Sequence, residues 1–139
     1  VFDLILHNYG PDVKIGSLHI NVYDTMSAHD IHGLTRKISM QMYERHGIIM
    51  TVGVYAVATG DNKQAELQKE VLHIIASHKE IVQVHGLYYS EGDNMFSVDI
   101  VPDESVNDDA GISRQLAEEI QPLVPGVNVF VVVDHNYSE

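Results

Sequence analysis

Residues 17–22 alternate apolar and polar side chains with the period of two that a half-buried β-strand requires. Residues 97–102 repeat this alternation about eighty positions later. On the polar face, His19 stands in the first segment at the place that Asp99 takes in the second. The two segments are therefore predicted to be look-alike strands that each carry a metal-capable side chain.

The pattern along the whole chain predicts six strands, including the two above, and three helices. The first helix starts at a Ser27 capping box and ends at Gly47, and apolar residues recur inside it at helical spacing. A second amphipathic helix follows residues 59–62, and a third runs from about Asn107 to Gln121. The second helix carries one apolar stripe, formed by Leu67, Val71, Ile74, Ile75 and His78. The strands are expected at residues 1–7, 13–23, 48–57, 81–89, 95–101 and 127–133.

This order predicts an α+β fold in which one unit is written twice, as ββαβ and then αββαβ, with each sheet covered by helices. The boundary is expected in the turn-forming stretch 59–62. Residues 1–61 then form a first repeat whose leading helix is missing, and residues 62–139 form a complete second repeat.

Composition narrows the function. The chain has no cysteine, which excludes disulfides, thiolate zinc sites and cysteine nucleophiles. Its formal net charge is −12, of which residues 62–139 supply −10, and this acidity argues against nucleic acid and favours cations. No apolar run approaches the roughly 20 residues of a membrane span, so a soluble fragment is expected. Motifs of nucleophilic catalysis or phosphate binding are absent from the sequence, and no enzyme activity is predicted.

Several short motifs resemble one family, the cation diffusion facilitator transporters, in their cytoplasmic C-terminal domain and more narrowly in bacterial members with a duplicated cytoplasmic unit. The motifs are Val1-Phe2-Asp3-Leu4, His7-Asn8-Tyr9-Gly10-Pro11, Ser17-Leu18-His19-Ile20-Asn21, Ala28-His29 and Val132-Val133-Asp134. The resemblance implies a metallochaperone-like, ferredoxin-like fold tethered to the cytoplasmic face of the membrane by a transmembrane domain that exports divalent cations such as zinc. It also implies that the domain forms a homodimer and that bound metal biases the transporter between its states.

The resemblance implies ligands at four points of each unit. In the first unit it gives His19 in the second strand and His29 at the helix start, and His7 is a possible substitute ligand. Phe2 stands where the family has a histidine, and residues 53–56 stand where it has His-x-Asp-Pro. The first site is therefore expected to be degenerate.

In the second unit the matching positions are His85, Asp99 and Asp134. One imidazole with two carboxylates can hold zinc, with manganese, cobalt or iron as alternatives. Two other functions stay open at this point. They are a metal-independent architectural dimerisation module and a free-standing α+β regulatory domain that binds a small molecule.

Overall fold

The computed structural model describes residues 1–60 and 62–135 and has α+β architecture, as the sequence predicts. The elements in chain order are β1 (Phe2–Asn8), β2 (Lys14–Tyr23), α1 (Ala28–His46), β3 (Ile48–Val57), α2 (Lys63–Ala76), β4 (Ile81–Ser90), β5 (Met95–Pro102), α3 (Asp109–Ile120), a 3₁₀ turn (Gln121–Leu123) and β6 (Asn128–Val133). These described residues form two compact units, Val1–Val57 and Ala58–His135. Asp61, the last residue of the first predicted repeat, lies outside the described residues.

The first unit is a three-stranded mixed sheet with one helix. β1 pairs antiparallel with β2, and β2 pairs parallel with β3. The parallel pair requires a crossover, which α1 provides by packing against β3. The side chain of Ser27 accepts the Asp30 amide at the start of α1, and Gly47 ends the helix in the left-handed conformation.

The first unit has a small core. Among its described residues, only Leu18, Ile48 and Met50 form a buried apolar cluster. The apolar stripe predicted along α1 is present, but none of its side chains is fully buried, and Leu34 is exposed. A single helix cannot enclose one face of a three-stranded sheet, so the stripe stays half-buried.

The second unit has the same strand arrangement, with β4 antiparallel and β6 parallel to the central strand β5. Two helices cover it, because α2 packs on β4 while α3 packs on β6. Its apolar core contains eleven buried side chains within the described part of the chain, drawn from both helices, β5, β6 and the turn before β6. Three of them, Phe96, Ile100 and Leu116, are wholly inaccessible to solvent.

Candidate metal centre

A bulge in β4 sets the position of His85. His85 lies directly opposite Asp99 in the antiparallel ladder, and the register then shifts so that Tyr88 lies opposite Ser97. Gly86 occupies the shift with a φ of 63°, a left-handed conformation that glycine adopts without steric cost. Because directly opposite residues have Cβ atoms about 4.5–5.5 Å apart, His85 and Asp99 present their side chains side by side on one face.

The first sheet contains a bulge at the corresponding step. Phe2 lies opposite His19, and after the register shift Ile5 lies opposite Ser17. Asp3 occupies this shift with a φ of 53°. His19 therefore has the same place in its ladder that Asp99 has in the second unit, and Phe2 has the place of His85.

The end of β6 adds a second acid beside His85. Asp99 pairs with Val132 in the parallel ladder, and Asp134 follows two residues later on the same side of the strand. The Asp134 amide donates to the Ile100 carbonyl at 2.8 Å and so continues the ladder beyond β6. As a result, Nε2 of His85 lies 3.8 Å from Oδ2 of Asp134.

The two side chains differ in exposure. The His85 side chain is fully buried, whereas about a third of the Asp134 side chain remains accessible. Oδ1 of Asp134 accepts the amide of His135 at 2.8 Å, which orients the carboxylate. On the other side of the imidazole, the Gln83 carboxamide lies 3.5 Å from Nδ1 of His85. The Gln83 atom in this contact is the amide nitrogen Nε2, which donates, so Nδ1 of His85 is the accepting nitrogen.

The separation of these atoms fits the chemistry of a shared cation. Two ligands on a tetrahedral zinc ion with bonds of about 2.0–2.2 Å stand roughly 3.3–3.6 Å apart. Nε2 of His85 and Oδ2 of Asp134 lie only a few tenths of an ångström outside this range. Asp99 lies opposite His85 in the ladder, but within the described residues of the second unit no three metal-capable side chains of that unit converge. Within the second unit, His85 and Asp134 thus supply one nitrogen and one carboxylate, donor types that zinc and manganese accept, and a cation bound there would need further ligands.

The equivalent place in the first unit contains a different cluster. Oδ2 of Asp3 accepts the hydroxyl of Tyr55 at 2.7 Å and lies 3.0 Å from Nδ1 of His19, an ion-pair distance without the alignment of a hydrogen bond. The rings of His19 and Tyr55 stack with centroids 4.6 Å apart. Gly53 makes room for the stack, because a Cβ at this position would overlap the His19 imidazole.

The other two predicted ligands of the first unit lie apart from this cluster. His7 pairs with Ile15, four residues along β2 from His19, which corresponds to about 13 Å. His29 is exposed in the first turn of α1. Within the described residues of the first unit, no three metal-capable side chains of that unit converge. The first unit thus retains His19 at the predicted position without assembling the predicted set.

Three side chains in these clusters are not among the predicted ligands. Tyr55 falls in the stretch where the resemblance finds a ligand lost, although its ring and hydroxyl organise the first cluster. Gln83 carries no motif, and only its spacing of two residues from His85 on a strand could have indicated contact. His135 carries no signal of its own in the sequence, yet its Nε2 lies 2.9 Å from Oδ2 of Asp109 at the start of α3.

Comparison with known proteins assigns no family. No family model matches the chain, and no curated protein is significantly similar to it. In the parts of the chain that the structure describes, no helix combines the length and apolarity that crossing a bilayer requires.

Proposed function

We propose that this chain is the cytoplasmic regulatory and dimerisation domain of a divalent-cation efflux transporter of the zinc type. The observation that carries the proposal is the approach of His85 Nε2 to Asp134 Oδ2 at 3.8 Å, with Asp99 opposite His85 in the ladder. The acidity of the chain and its lack of cysteine agree with an oxygen- and nitrogen-ligated cation. No catalytic role is proposed for these residues.

The two units are proposed to be tandem copies of one ferredoxin-like unit, comprising residues 1–61 and 62–139. The matching bulges at Asp3 and Gly86 support this, since both have positive φ at the same step of their ladders. The helix caps agree as well, because the side chains of Ser27 and Asp108 each accept the amide of the residue three positions later.

In this proposal the cation acts as a clamp within the second unit. His85 lies on β4, whereas Asp134 follows β6, so a shared ion links the two outer strands across β5. Binding to the folded state stabilises it by RT ln(1 + [L]/Kd), about 2.7 kcal/mol when the free cation is at 100 times Kd. A conformation of the transporter that keeps these strands in place is favoured by the same free energy.

Isothermal titration of the chain with zinc, manganese and cobalt tests the proposal. We expect a dissociation constant below about 1 mM, equivalent to about 4 kcal/mol. His85→Ala and Asp134→Asn should each weaken binding at least tenfold, since each removes one ligand. His73→Ala is the matched control, because His73 is an exposed histidine on α2. Zinc binding that is unaffected by both ligand substitutions would exclude this centre.

A second candidate function is a metal-independent dimerisation module. The specific observation in its favour is Tyr55, which takes in the first unit the place of Asp134 and holds Asp3 and His19 by direct contacts. Sedimentation of the chain with and without chelator separates the two functions. A dimer indifferent to chelator, in a chain that fails to bind zinc, would favour the architectural role.

A further inference from the structure

The outer edge of β3 lacks the features that normally protect an edge strand. β3 pairs with β2 on one side, and no other strand in the described part of the chain bonds to its other side. The strand is ten residues long, Ile48–Val57, and contains neither proline nor a charged residue. Natural proteins blunt such edges with bulges, charges, prolines or short length, because an open edge recruits further strands.

Two of the other three edges of the two sheets are interrupted by bulges. β1 and β4 each contain a bulge, at Asp3 and Gly86 respectively. β6 also lacks charge and proline, but it is shorter than β3, with six residues, Asn128–Val133, against ten. Gln121 stabilises the loop just before β6, because its Nε2 donates to the carbonyls of Val124 and Val127, each at 3.0 Å. β3 is therefore the longest of the four edges that is free of a bulge, and it has no charge or proline.

An apolar groove runs beside this edge. It has a volume of about 410 Å³ and lies between α1 and the start of β3. Met40 and Tyr43 of α1 and Ile49 of β3 line it, and all three side chains are exposed. Val54 adds an exposed apolar side chain farther along the strand. A strand added to β3 would thus gain backbone hydrogen bonds and cover apolar surface together.

We propose that two copies of this chain pair antiparallel through β3 and form one continuous six-stranded sheet from their first units. This inference rests on the dimerisation part of the proposed function and names its interface. A strand paired with its own copy about a twofold axis is self-complementary, and the absence of charge on β3 avoids like-charge opposition. Antiparallel pairing also brings the end of the partner strand beside Ile49 and the groove.

The distribution of charge favours this approach of two copies. Val1–Val57 carries five acidic and four basic residues, a net charge of −1, whereas the rest of the chain carries −11. Two copies of a chain with net charge −12 repel each other. That repulsion is weakest where the first units meet, so β3 belongs to the unit better suited to self-association.

Substitution at the edge tests the proposal by sedimentation velocity in chelator. Val54→Lys places a charge on β3, whereas Val13→Lys makes the same change in the β1–β2 turn. The two valines have similar exposure, 39% and 43%. We expect a dimer for the unsubstituted chain, a dimer dissociation constant at least tenfold weaker for Val54→Lys, and no change for Val13→Lys. A monomeric unsubstituted chain, or a Val54→Lys dimer of undiminished affinity, would overturn the proposal.

Hydrogen exchange on the unsubstituted chain keeps the test independent of how Val54→Lys folds. Outer-edge amides of β3 should exchange at least tenfold more slowly at concentrations where the dimer forms than after dilution. A dimer whose β3 amides exchange at the same rate as in the monomer would contradict the proposed interface. Zinc titration of Val54→Lys reports on His85 and Asp134 separately, so failure of the interface and failure of the metal centre are distinguishable.

Discussion

Asp3 and Gly86 adopt the same left-handed backbone conformation at the same step of two different sheets, with φ of 53° and 63°. Asp3 follows Phe2, and Gly86 follows His85. Phe2 and His85 occupy the positions where the resemblance places the first ligand of each unit. Glycine adopts this conformation freely, whereas an L-residue incurs a steric cost. Asp3 is held there by its carboxylate contacts with His19 and Tyr55.

Substitution of Gly86 by alanine should destabilise the chain. Gly86→Ala puts a Cβ on a residue with positive φ and is expected to lower the free energy of unfolding by about 1–2 kcal/mol. Gly33→Ala should act in the opposite direction and raise it by about 0.5–1 kcal/mol, because Gly33 lies inside α1 and an added methyl group there would meet open space. Urea unfolding of both variants checks this, and shifts of equal sign would contradict it.

The Tyr55 hydroxyl should contribute measurably to stability. Its hydrogen bond to Asp3 is 2.7 Å long and ends on a carboxylate, so Tyr55→Phe is expected to cost about 1–3 kcal/mol. Tyr55→Ala should cost more, because the stack on His19 is lost as well. Tyr43→Phe is the control, since Tyr43 is 63% exposed on α1. If Tyr55→Phe were as stable as Tyr43→Phe, the hydrogen bond from Tyr55 to Asp3 would not stabilise the fold.

Equivalent leucine truncations should have unequal effects in the two units. Leu116 is wholly buried on α3, and Leu116→Ala is expected to lower the free energy of unfolding by about 2–5 kcal/mol. Leu34 on α1 is 37% exposed, and Leu34→Ala should cost about 1 kcal/mol or less. Native-state hydrogen exchange should correspondingly find β2 amides less protected than β5 amides. Equal costs for the two truncations would show that the first unit has a larger core than Leu18, Ile48 and Met50.

His78 should make part of the stability of the second unit dependent on pH. Its Nε2 lies 2.8 Å from Glu119 of α3 and its Nδ1 lies 3.3 Å from Glu80, in the turn between α2 and β4. The hydrogen bond with Glu119 is the main cause that raises the pKa of His78, and burial opposes it. The pKa values of Glu119 and Glu80 are lowered, with the His78 hydrogen bond the first cause for Glu119 and a backbone hydrogen bond the first cause for Glu80.

The sign of the pH effect follows from these directions. A raised pKa in the folded state gives a stabilisation that is fully present below the unfolded pKa of about 6.5 and disappears as the pH rises through the folded value. The lowered carboxyl pKa values give a stabilisation that is lost as the pH falls through them. His78→Gln should therefore destabilise the chain more at pH 5.5 than at pH 8.5. The exposed His73, changed to glutamine, is the control in urea unfolding, and a His78→Gln effect independent of pH would exclude the charged clamp.

Zinc should stabilise the second unit at neutral pH, and lowering the pH should remove this stabilisation. At 100 times Kd the expected gain in the free energy of unfolding is about 2.7 kcal/mol at neutral pH. Protons compete with the cation for His85 and for the carboxylates of Asp99 and Asp134, so the gain should shrink on acidification. Thermal unfolding with zinc, with chelator and with Asp134→Asn measures it. Stabilisation that persists in Asp134→Asn would assign the cation to other ligands.

Local patterns were sufficient for most elements of this fold, although His78, predicted on the second helix, lies beyond the end of that helix at Ala76. The strand predicted at residues 48–57 has those limits in the structure, and the helix predicted from Ser27 to Gly47 is bounded by these two caps. Such features depend on side-chain alternation and on hydrogen bonds between near neighbours. Burial was less predictable, because the stripe of α1 needs a second covering layer before it becomes a core.

The candidate site combines residue types that the sequence indicates with a geometry that only the structure supplies. The motif resemblance indicates His85, Asp99 and Asp134, and the register pairs the first two and brings the third within 3.8 Å of His85. The replacement of a ligand set by the stack of Tyr55 on His19 does not follow from any motif. A tyrosine at that position carries no local signal of the aspartate that it contacts 52 residues earlier.

The sequence by itself determined the elements, their order and the caps, because these depend on interactions within a few residues. The tertiary structure decided which side chains meet. Strand pairing joins residues far apart in sequence, and a single bulge, at Asp3 or at Gly86, changes the face on which every later side chain of the strand lies. Both units share that step of register, so the residues at equivalent positions make the difference: Phe2 and Tyr55 stand in the first unit where His85 and Asp134 stand in the second.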